Sequence, residues 1–241
     1  MAPRFYTDAP LRAGSVCTLP EDAAHHAIHV LRLRAGEDIT VFNGRGGEFA
    51  ARIASIQRLK IAIDLLQHRA IERESPLCVM LVQGVSAGEK MDSTLRKAVE
   101  LGVAAMQPVL AARSVARPKG ERAEGRHAHW QKVVVAACEQ CGRNRIPEVH
   151  ALMALSDYRP SGTAVRILLS PRSQQPLSKL SLQGNDFVVA AGPEAGFPLG
   201  DEAAVVSGGV ISVFRGPRGV CTEEDARGAA GLRAGTGRRA G

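Results

Sequence analysis

Residues 186–200 read DFVVAAGPEAGFPLG, an apolar run followed directly by Gly192-Pro193 and, three residues later, by Gly196. A short run of small and β-branched residues that ends at Gly-Pro is typical of a buried parallel strand opening into a turn. Ligands of open α/β sheets bind at such strand ends, and glycines there let the backbone approach a ligand closely. The segment therefore predicts a small-molecule site at the end of this strand.

Segments typical of strands and helices alternate in the chain after residue 76. Apolar strands are predicted at residues 77–85, 104–110, 164–170 and 186–192. Between the first two strands, four apolar residues share one helical face and Gly102 provides a stop. These residues are Met91, Leu95, Ala98 and Val99. Such alternation indicates a parallel sheet, so the predicted fold class is α/β.

Residues 15–71 carry a different pattern, with short alternating segments separated by the turns Asn43-Gly44 and Gly46-Gly47. This pattern is typical of a small antiparallel sheet or barrel. One short helix is embedded between the first strands. The apolar positions that recur there at helical spacing are Ala24, Ile28 and Leu31.

Polar and glycine-rich sequence marks the limits of the domains. The segment ERESP at residues 72–76 is charged and ends in proline, which is typical of a linker. The predicted domains are therefore residues 1–72 and 73–241. The tail at residues 219–241 is rich in Gly and Arg and cannot bury a helix face, so it is predicted to be atypical and mobile.

The chain carries a formal net charge of +7 and has an isoelectric point near 9.5. This balance favours a polyanionic partner, although a basic surface that only maintains solubility gives the same charge. Aromatic residues make up 4% of the chain, so a wide stacking platform for single-stranded nucleic acid is poorly supplied. The sequence shows no apolar stretch of membrane-spanning length and no export signal, so a cytoplasmic location is predicted.

Five cysteines are spread along the chain, and reduced thiols are expected. Cys138 and Cys141 form a C-x-x-C pair, which occurs in structural zinc sites and in redox centres. A zinc site needs two more ligands at suitable spacing, and no second pair supplies them. His25 and His29, four residues apart, could ligate a metal or could flank an exposed helix. No metal site is predicted.

Residues 113–127 are basic and are predicted to form a loop that leads into a helix from about His129 to Cys141. Its cations are Arg113, Arg117, Lys119, Arg122 and Arg126. Such a loop suits a phosphate backbone, or it is a solvated surface. The turn at residues 192–196 lacks both the Lys-Ser/Thr pair of a P-loop and the spaced glycines of a dinucleotide fingerprint. A dinucleotide-using enzyme is therefore disfavoured.

Eight short motifs occur in the order found in one family. They are RFY (4–6), HVLRLRAGE (29–37), FNGRGGEF (42–49), ESPL (74–77), GEKMDSTLRKAVELGV (88–103), ARS (112–114), ACEQCGRNRIPEV (137–149) and GPEAGF (192–197). With these motifs the chain resembles the bacterial ribosomal RNA small subunit methyltransferase E family. The resemblance extends to about Phe197 and returns weakly at residues 216–218.

The resemblance implies a fold, an activity and partners. The fold would be an N-terminal PUA-like β-barrel that binds RNA, followed by a SPOUT α/β domain with a C-terminal trefoil knot. The activity would be methylation of N3 of uridine 1498 in 16S rRNA, with S-adenosylmethionine as the cofactor. The partners would be 16S rRNA in the small ribosomal subunit and a second copy of the chain in a homodimer.

The resemblance also implies site residues. The cofactor would contact Leu168, Leu169, Ser170, Gly192, Pro193, Glu194, Ala195, Gly196, Arg215, Gly216 and Pro217. The RNA would contact Arg4, Arg32, Lys90, Arg113, Glu139, Gln140 and Arg143. Arg218 and Glu223 are the candidate catalytic residues. Uridine N3 is only weakly acidic, so transfer needs a base or a cation that stabilises charge on the ring carbonyls.

The chain departs from the family pattern near its C-terminus. After Gly-Pro-Arg the family continues with an aliphatic residue and Leu-Arg-Thr-Glu-Thr-Ala, whereas this chain continues with GVCTEEDA at residues 219–226. The arginine of the family falls on Cys221, and Ala195 replaces a glycine of the cofactor loop. An alternative hypothesis is therefore an RNA-binding member of the family with impaired or absent methyl transfer.

Overall fold

The computed structural model describes residues 2–112, 118, 120–159, 162–180, 183–193, 196–206 and 209–214. The chain divides into two compact units. The first consists of residues 1–74 and 135–146, and the second of residues 75–134 and 147–241. The tail for which mobility is predicted, residues 219–241, lies outside the described residues.

In its described part, the first unit is built on a five-stranded sheet with the order β1-β3-β4-β5-β2. The strands are β1 (Arg4–Tyr6), β2 (Val16–Thr18), β3 (Asp38–Phe42), β4 (Glu48–Gln57) and β5 (Lys60–Arg69). Alternate residues of β5, Ile61, Ile63 and Leu65, are buried in the core of this unit. The sheet is antiparallel except that β1 runs parallel to β3, a pairing between segments far apart in sequence that local patterning does not reveal.

The embedded helix of the first unit changes type along its length. Helix α1 (Glu21–His25) continues as a π-helix (His26–Val30), and the N–H of Leu31 donates to the carbonyl of His26 at 3.1 Å. The wider turn rotates the residues that follow it around the helix axis. The predicted apolar face is therefore wrong at Leu31, which is exposed, while Leu33 packs against the core instead.

In its described part, the second unit contains a seven-stranded sheet in which every pairing is parallel. The strands are β6 (Cys78–Gly84), β7 (Ala105–Leu110), β8 (Glu148–Val149), β9 (Met153–Ala154), β10 (Val165–Leu169), β11 (Asp186–Ala191) and β12 (Ile211–Val213). The order is β12-β10-β11-β6-β7-β8, with β9 also paired to β7. The predicted parallel α/β sheet is confirmed, and the strand before Gly192 lies at its centre.

Three helices of eight residues or more are described: α2 (Gly88–Glu100), α3 (Glu121–Cys141) and α4 (Leu199–Val206). Short 3-10 turns occupy Leu155–Asp157 and Leu177–Lys179. The predicted face of α2 is buried, and Gly102 follows it with a φ of +88°. No helix in the described part of the chain is long and apolar enough to cross a membrane.

Helix α3 begins earlier than the sequence predicts. Residues 121–127 were expected in a basic loop, but the helix begins at Glu121, so Arg122 and Arg126 lie on its exposed surface. Gly120, at a φ of +54°, precedes the helix, and Glu121 and Glu124 place negative charge on its first turn. Acidic residues stabilise that end of a helix dipole, and this stabilisation favours the helix in spite of Gly125.

Candidate functional site

The carboxyl ends of β10, β11 and β6 lie side by side at the centre of the second sheet. Gln83, next to last in β6, is fully buried. Its Nε2 donates to the carbonyl of Gly192 at 3.1 Å and to that of Gly84 at 2.9 Å. The side chain therefore ties the turn after β11 to the neighbouring strand.

Two glycines at this edge, Gly84 in β6 and Gly192 in the turn after β11, leave no room for a side chain. A Cβ on Gly84 would lie 2.6 Å from Cδ of Pro193, and one on Gly192 would lie 2.5 Å from the backbone N of Phe197. Gly196 adopts a φ of +72°, and its N–H donates to the carbonyl of Pro193 at 2.7 Å. The glycines are thus required for the close backbone packing of this turn.

Ser170, the residue after β10, anchors the same edge of the sheet to helix α4. Its N–H donates to the carbonyl of Val213 at 2.9 Å, and its Oγ donates to Oε1 of Glu202 at 3.0 Å. The same carboxylate accepts from Nη1 of Arg172 at 2.8 Å, and Arg172 also donates to the carbonyl of Phe197 at 3.0 Å. These bonds fix the loop after β10 against the start of α4.

Two buried polar atoms near this edge lack a hydrogen-bond partner among the described residues. They are Oε1 of Gln83 and Oγ of Ser86, which lies two residues before helix α2. Buried polar groups are satisfied in most proteins, so an unsatisfied pair is unusual. A polar ligand at the strand ends would supply donors, and the residues present therefore fit a small polar molecule.

The predicted cofactor residues that the structure describes fall into two groups. Gly192, Pro193 and Gly196 form the turn, and Leu169 and Ser170 end the neighbouring strand. The side chain of Leu168 packs in the core with Val82 and Phe197, and its cofactor contact stays a prediction. The predicted residues Glu194, Ala195, Arg215, Gly216, Pro217, Arg218, Glu223 and Arg113 lie outside the described residues.

Arg4 lies inside the first unit, although the sequence assigned it to RNA. Its side chain is 7% exposed and its Nη1 donates to Oε2 of Glu48 at 2.6 Å. Its Nη2 donates to Oδ1 of Asn144 at 2.7 Å, and the guanidinium lies 4.9 Å from the centroid of the Phe42 ring. A guanidinium held in this way stabilises the unit, and the RNA contact of Arg4 stays a prediction.

Arg143 and Glu139 are occupied by internal partners in the same unit. Arg143 is buried and forms a bidentate ion pair with Glu74, with Nε–Oε1 at 3.1 Å and Nη2–Oε2 at 2.5 Å. Glu139 accepts a hydrogen bond from the N–H of Tyr6 at 2.8 Å, and burial raises its pKa. The structure thus places both side chains in internal contacts of the first unit, and their RNA contacts stay predictions.

The remaining described residues of the predicted RNA set are exposed. They are Arg32, Lys90 and Gln140. Arg32 follows the π-helix at a φ of +55°, which few residues other than glycine adopt. The exposed guanidinium of Arg32 therefore places positive charge on the surface of the first unit.

The first thiol of the C-x-x-C pair is buried. Burial raises the pKa of the Cys138 thiol to about 12, and its Sγ donates to the carbonyl of Arg145 at 3.7 Å. A thiol that stays protonated at neutral pH is a poor nucleophile and a poor metal ligand. Within the described residues, no group of three or more His, Cys, Asp or Glu side chains is arranged to hold a metal ion.

A groove of 690 Å³ lies elsewhere on the second unit, near the amino ends of β6 and β11. Its lining includes Cys78, Met80, Tyr158, Asp186 and Val188. None of the predicted site residues lines it, and the strand-end site is preferred because the glycines and the unsatisfied polar atoms lie there.

Sequence reasoning missed Gln83, Gly84 and Glu202 as parts of the site. The available signal was a glutamine followed by glycine at the end of the otherwise apolar strand CVMLVQG. A buried amide there needs partners, and a strand-end glycine indicates a close backbone approach. Glu202 gives no such signal, because its role depends on a loop 32 residues away.

Comparison with known proteins assigns the chain to a family. A family model for the RNA methyltransferase domain matches residues 73–219, and one for the RNA methyltransferase PUA domain matches residues 19–66. A crystal structure of ribosomal RNA small subunit methyltransferase E from Neisseria gonorrhoeae, bound to S-adenosyl methionine, is 34% identical. The match covers 97% of this chain and 98% of that chain, with a TM-score of 0.91. The chain belongs to the ribosomal RNA small subunit methyltransferase E family.

Curated relatives in the ribosomal RNA small subunit methyltransferase E family are similar over most of their length. The enzyme of Buchnera aphidicola subsp. Schizaphis graminum is 29% identical over 92% of this chain and 91% of its own. The enzyme of Bacillus subtilis is 26% identical over 84% of this chain and 83% of its own. The fold is accordingly a PUA-like N-terminal domain followed by a SPOUT domain with a parallel sheet, as the family resemblance implied.

Proposed function

We propose that this chain is an S-adenosylmethionine-dependent methyltransferase of 16S rRNA in the small ribosomal subunit. Its target would be N3 of uridine 1498, as the family resemblance implies. The observation that carries the proposal is the match, over nearly the whole length of both chains, to a family member crystallised with S-adenosyl methionine. The strand-end site in the second unit supports it, because its glycines and unsatisfied polar atoms suit a small polar ligand.

The cofactor would be held at the carboxyl ends of β6, β10 and β11. The backbone of Gly192, Pro193 and Gly196 would form one wall, with the residues that end β10, Leu169 and Ser170, beside it. Gln83 would hold this wall in place through its hydrogen bond to the carbonyl of Gly192. Bound S-adenosylmethionine supplies a methyl group on a positively charged sulfur, which needs no further activation.

The residues of the chain would contribute position and electrostatics. Alignment of uridine N3 with the methyl group and exclusion of water account for much of such a rate enhancement. The N3 proton must also be removed, or the charge that develops on the ring carbonyls must be stabilised. Arg218 and Glu223 are proposed for these roles. Glu194 and Ala195 are proposed for the same wall as Gly192 and Gly196, and Arg215, Gly216 and Pro217 for the opposite wall of the cofactor site.

The RNA surface would combine cations with a polar side chain, in keeping with the net charge of +7. We assign Arg32, Lys90, Gln140 and Arg113 to it. Arg4, Glu139 and Arg143 would act indirectly, because they hold together the unit that presents Arg32. Residues 1–72 would then be the RNA-binding domain and residues 73–241 the catalytic domain.

The proposal is tested by transfer of a tritiated methyl group from S-adenosylmethionine to small subunits that lack the modification. We expect stoichiometric incorporation, which mapping of the RNA places at N3 of uridine 1498. Calorimetric titration with S-adenosylmethionine should show one binding site per chain. Retained RNA binding without cofactor binding or incorporation would overturn the proposal in favour of an RNA-binding protein that does not transfer methyl groups.

The quaternary structure, the topology and the location follow from the same proposal. We expect a homodimer in which a C-terminal trefoil knot contributes to the cofactor site, and a cytoplasmic location where small subunits are assembled. Sedimentation equilibrium measures the first point directly. A monomer that retains full transfer activity would contradict the expected dimer.

A further inference from the structure

The segment from the last residue of helix α1 through the π-helix to Arg34 exposes apolar and cationic side chains together. We name residues 25–34 the histidine turn. Val30 is 62% exposed and Leu31 is 41% exposed. The other exposed side chains that matter are His25, His29, Arg32 and Arg34. The segment contains no acidic residue, so its net charge is positive.

The backbone of the histidine turn creates this exposure. A regular α-helix through Ala24 would return Leu31 to the buried face, because seven residues make almost two turns. The π-helix prevents this, and Leu33 then packs against the core, with its N–H donating to the carbonyl of Ala27 at 2.9 Å. Arg32 follows at a φ of +55°. π-helices and strained residues both cluster at functional sites.

The exposed groups match the chemistry of unpaired RNA. Proteins recognise single-stranded RNA by stacking bases on ring and guanidinium planes and by pairing cations with phosphates. The rings of His25 and His29 have centroids 4.5 Å apart with 44° between their planes. Val30 and Leu31 add apolar surface that a base face can cover, and Arg32 and Arg34 add the cations.

We infer that the histidine turn holds an unpaired nucleotide of the RNA substrate, with Val30 and Leu31 against the base and Arg32 and Arg34 on flanking phosphates. This inference rests on the proposed function, because it takes RNA as the substrate. It adds a base contact in the first unit to the electrostatic attraction that the net charge provides. The histidine turn is therefore a positioning element and not part of the methyl-transfer chemistry.

The test compares the double variant Val30→Ser/Leu31→Ser with the control Val16→Ser/Leu66→Ser. The control residues are aliphatic, lie in the same unit and are 65% and 48% exposed. For the turn variant we expect Kd and KM for unmodified small subunits to rise about tenfold, with kcat and cofactor binding unchanged. The control should match the wild type. Wild-type Kd and KM in the turn variant, or an equal loss in the control, would overturn the inference.

Two further measurements distinguish a base contact from a contact with phosphates alone and from a contact with a ribosomal protein. Arg32→Asn keeps a residue that tolerates positive φ, and it should lower the slope of log Kd against log salt by about 0.7. The Val30→Ser/Leu31→Ser variant should keep the wild-type slope.

The loss of affinity of the Val30→Ser/Leu31→Ser variant should also appear with protein-free 16S rRNA. A loss confined to assembled subunits would assign the histidine turn to a ribosomal protein and overturn the inference.

Binding assays need no methyl transfer, so the two hypotheses can fail separately. Absence of transfer by the wild type, together with weaker RNA binding by the turn variant, would defeat the proposed function and leave the base contact standing. Normal methyl transfer by the wild type, together with unchanged RNA binding by the turn variant, would defeat the base contact and leave the proposed function standing.

Discussion

At the scale of single residues, the candidate site depends on positions where a side chain is excluded. Gly84 and Gly192 allow β6 and the turn after β11 to approach closely, and Gln83 joins them by hydrogen bonds. A side chain at either glycine would collide with backbone or with Pro193, which cannot rotate away. The shape of the turn is therefore set by steric exclusion.

Gly192→Ala is expected to destabilise the second unit by about 1–3 kcal/mol and to weaken binding of S-adenosylmethionine. The added Cβ would lie 2.5 Å from the backbone N of Phe197, so the turn must shift. Gly200→Ala is the matched control, because Gly200 lies in α4 with no atom near the added Cβ. Thermal unfolding and calorimetric titration measure both effects. Equal behaviour of the two variants would contradict the steric argument.

Glu48 gives the first unit a pH dependence. Burial by itself raises the pKa of this carboxyl, but the hydrogen bonds and charges of Arg4 and Arg73 outweigh it, so the pKa lies below its ordinary value of 4.5. The contribution of the carboxylate to stability is therefore complete above pH 4.5 and is lost as the pH falls through the lowered pKa.

Glu48→Gln should cost about 3 kcal/mol of unfolding free energy at pH 7, because it leaves two buried or half-buried guanidiniums without their carboxylate. The difference from the wild type should shrink as the pH falls below 4.5. Asp38→Asn breaks the exposed Arg52–Asp38 pair and should change the unfolding free energy far less than Glu48→Gln does. Urea unfolding between pH 7 and pH 3 checks this. If the difference in unfolding free energy between Glu48→Gln and the wild type did not change with pH, an electrostatic origin of the lost stability would be ruled out.

At the scale of elements, the π-helix after α1 decides which leucine is buried. A wider turn moves Leu31 to the surface and brings Leu33 to the core, although both occur in the same apolar pattern. The hydrogen bond from the N–H of Leu31 to the carbonyl of His26 marks the change of register. A helix type that periodicity does not report thus determines which side chains the first unit presents to its surroundings.

Leu33→Ala should lower the stability of the protein by about 2 kcal/mol, while Leu31→Ala should change it by less than about 0.5 kcal/mol. The first substitution removes methyl groups that pack against the core, and the second removes methyl groups that already contact water. Chemical denaturation followed by circular dichroism gives both values. A larger loss for Leu31→Ala would mean that the helix is regular in solution.

At the scale of the whole molecule, the first unit is discontinuous in sequence. Residues 135–146 belong to it, and Asn144 accepts from Nη2 of Arg4 and donates from Nδ2 to the carbonyl of Ile71 at 2.6 Å. Arg143 pairs with Glu74 in the same region. The N-terminal residues therefore depend on a segment from the middle of the chain to satisfy their buried charges.

A fragment of residues 1–74 should accordingly be less stable than the same residues in the full chain. It loses Asn144 as a hydrogen-bond partner of Arg4 and Arg143 as the ion-pair partner of Glu74, and it loses the residues that cover both contacts. Amide hydrogen exchange of β1 and β3 in both proteins measures the difference. Restoration of protection when residues 135–146 are joined to the fragment by a flexible linker would identify these contacts as the cause. Equal protection without that segment would contradict the argument.

Much of the fold was predictable because local chemistry dictates it. Continuous apolar strands separated by amphipathic α2 predict a parallel sheet, and Gly192-Pro193 predicts the strand-end turn at its centre. Motif order also predicts the family and, through it, the PUA-like and SPOUT domains. The start of α3 was predicted too late, because Gly125 and the cluster of basic residues are typical of a loop and hide the stabilising effect of the acidic first turn.

The sequence by itself determined β6, β7, β10 and β11, the helix α2 and the need for glycine in the turn after β11, because these depend on neighbours a few residues apart. Only the tertiary structure decided that Arg4 and Arg143 are internal, that Leu31 is exposed, and that Gln83 reaches Gly192. An arginine carries the same charge whether it binds a phosphate or a buried carboxylate, so the sequence alone does not distinguish the two roles. Its role is set by which distant residue folding brings within hydrogen-bond distance, such as Asn144 for Arg4, and by how much water that contact excludes.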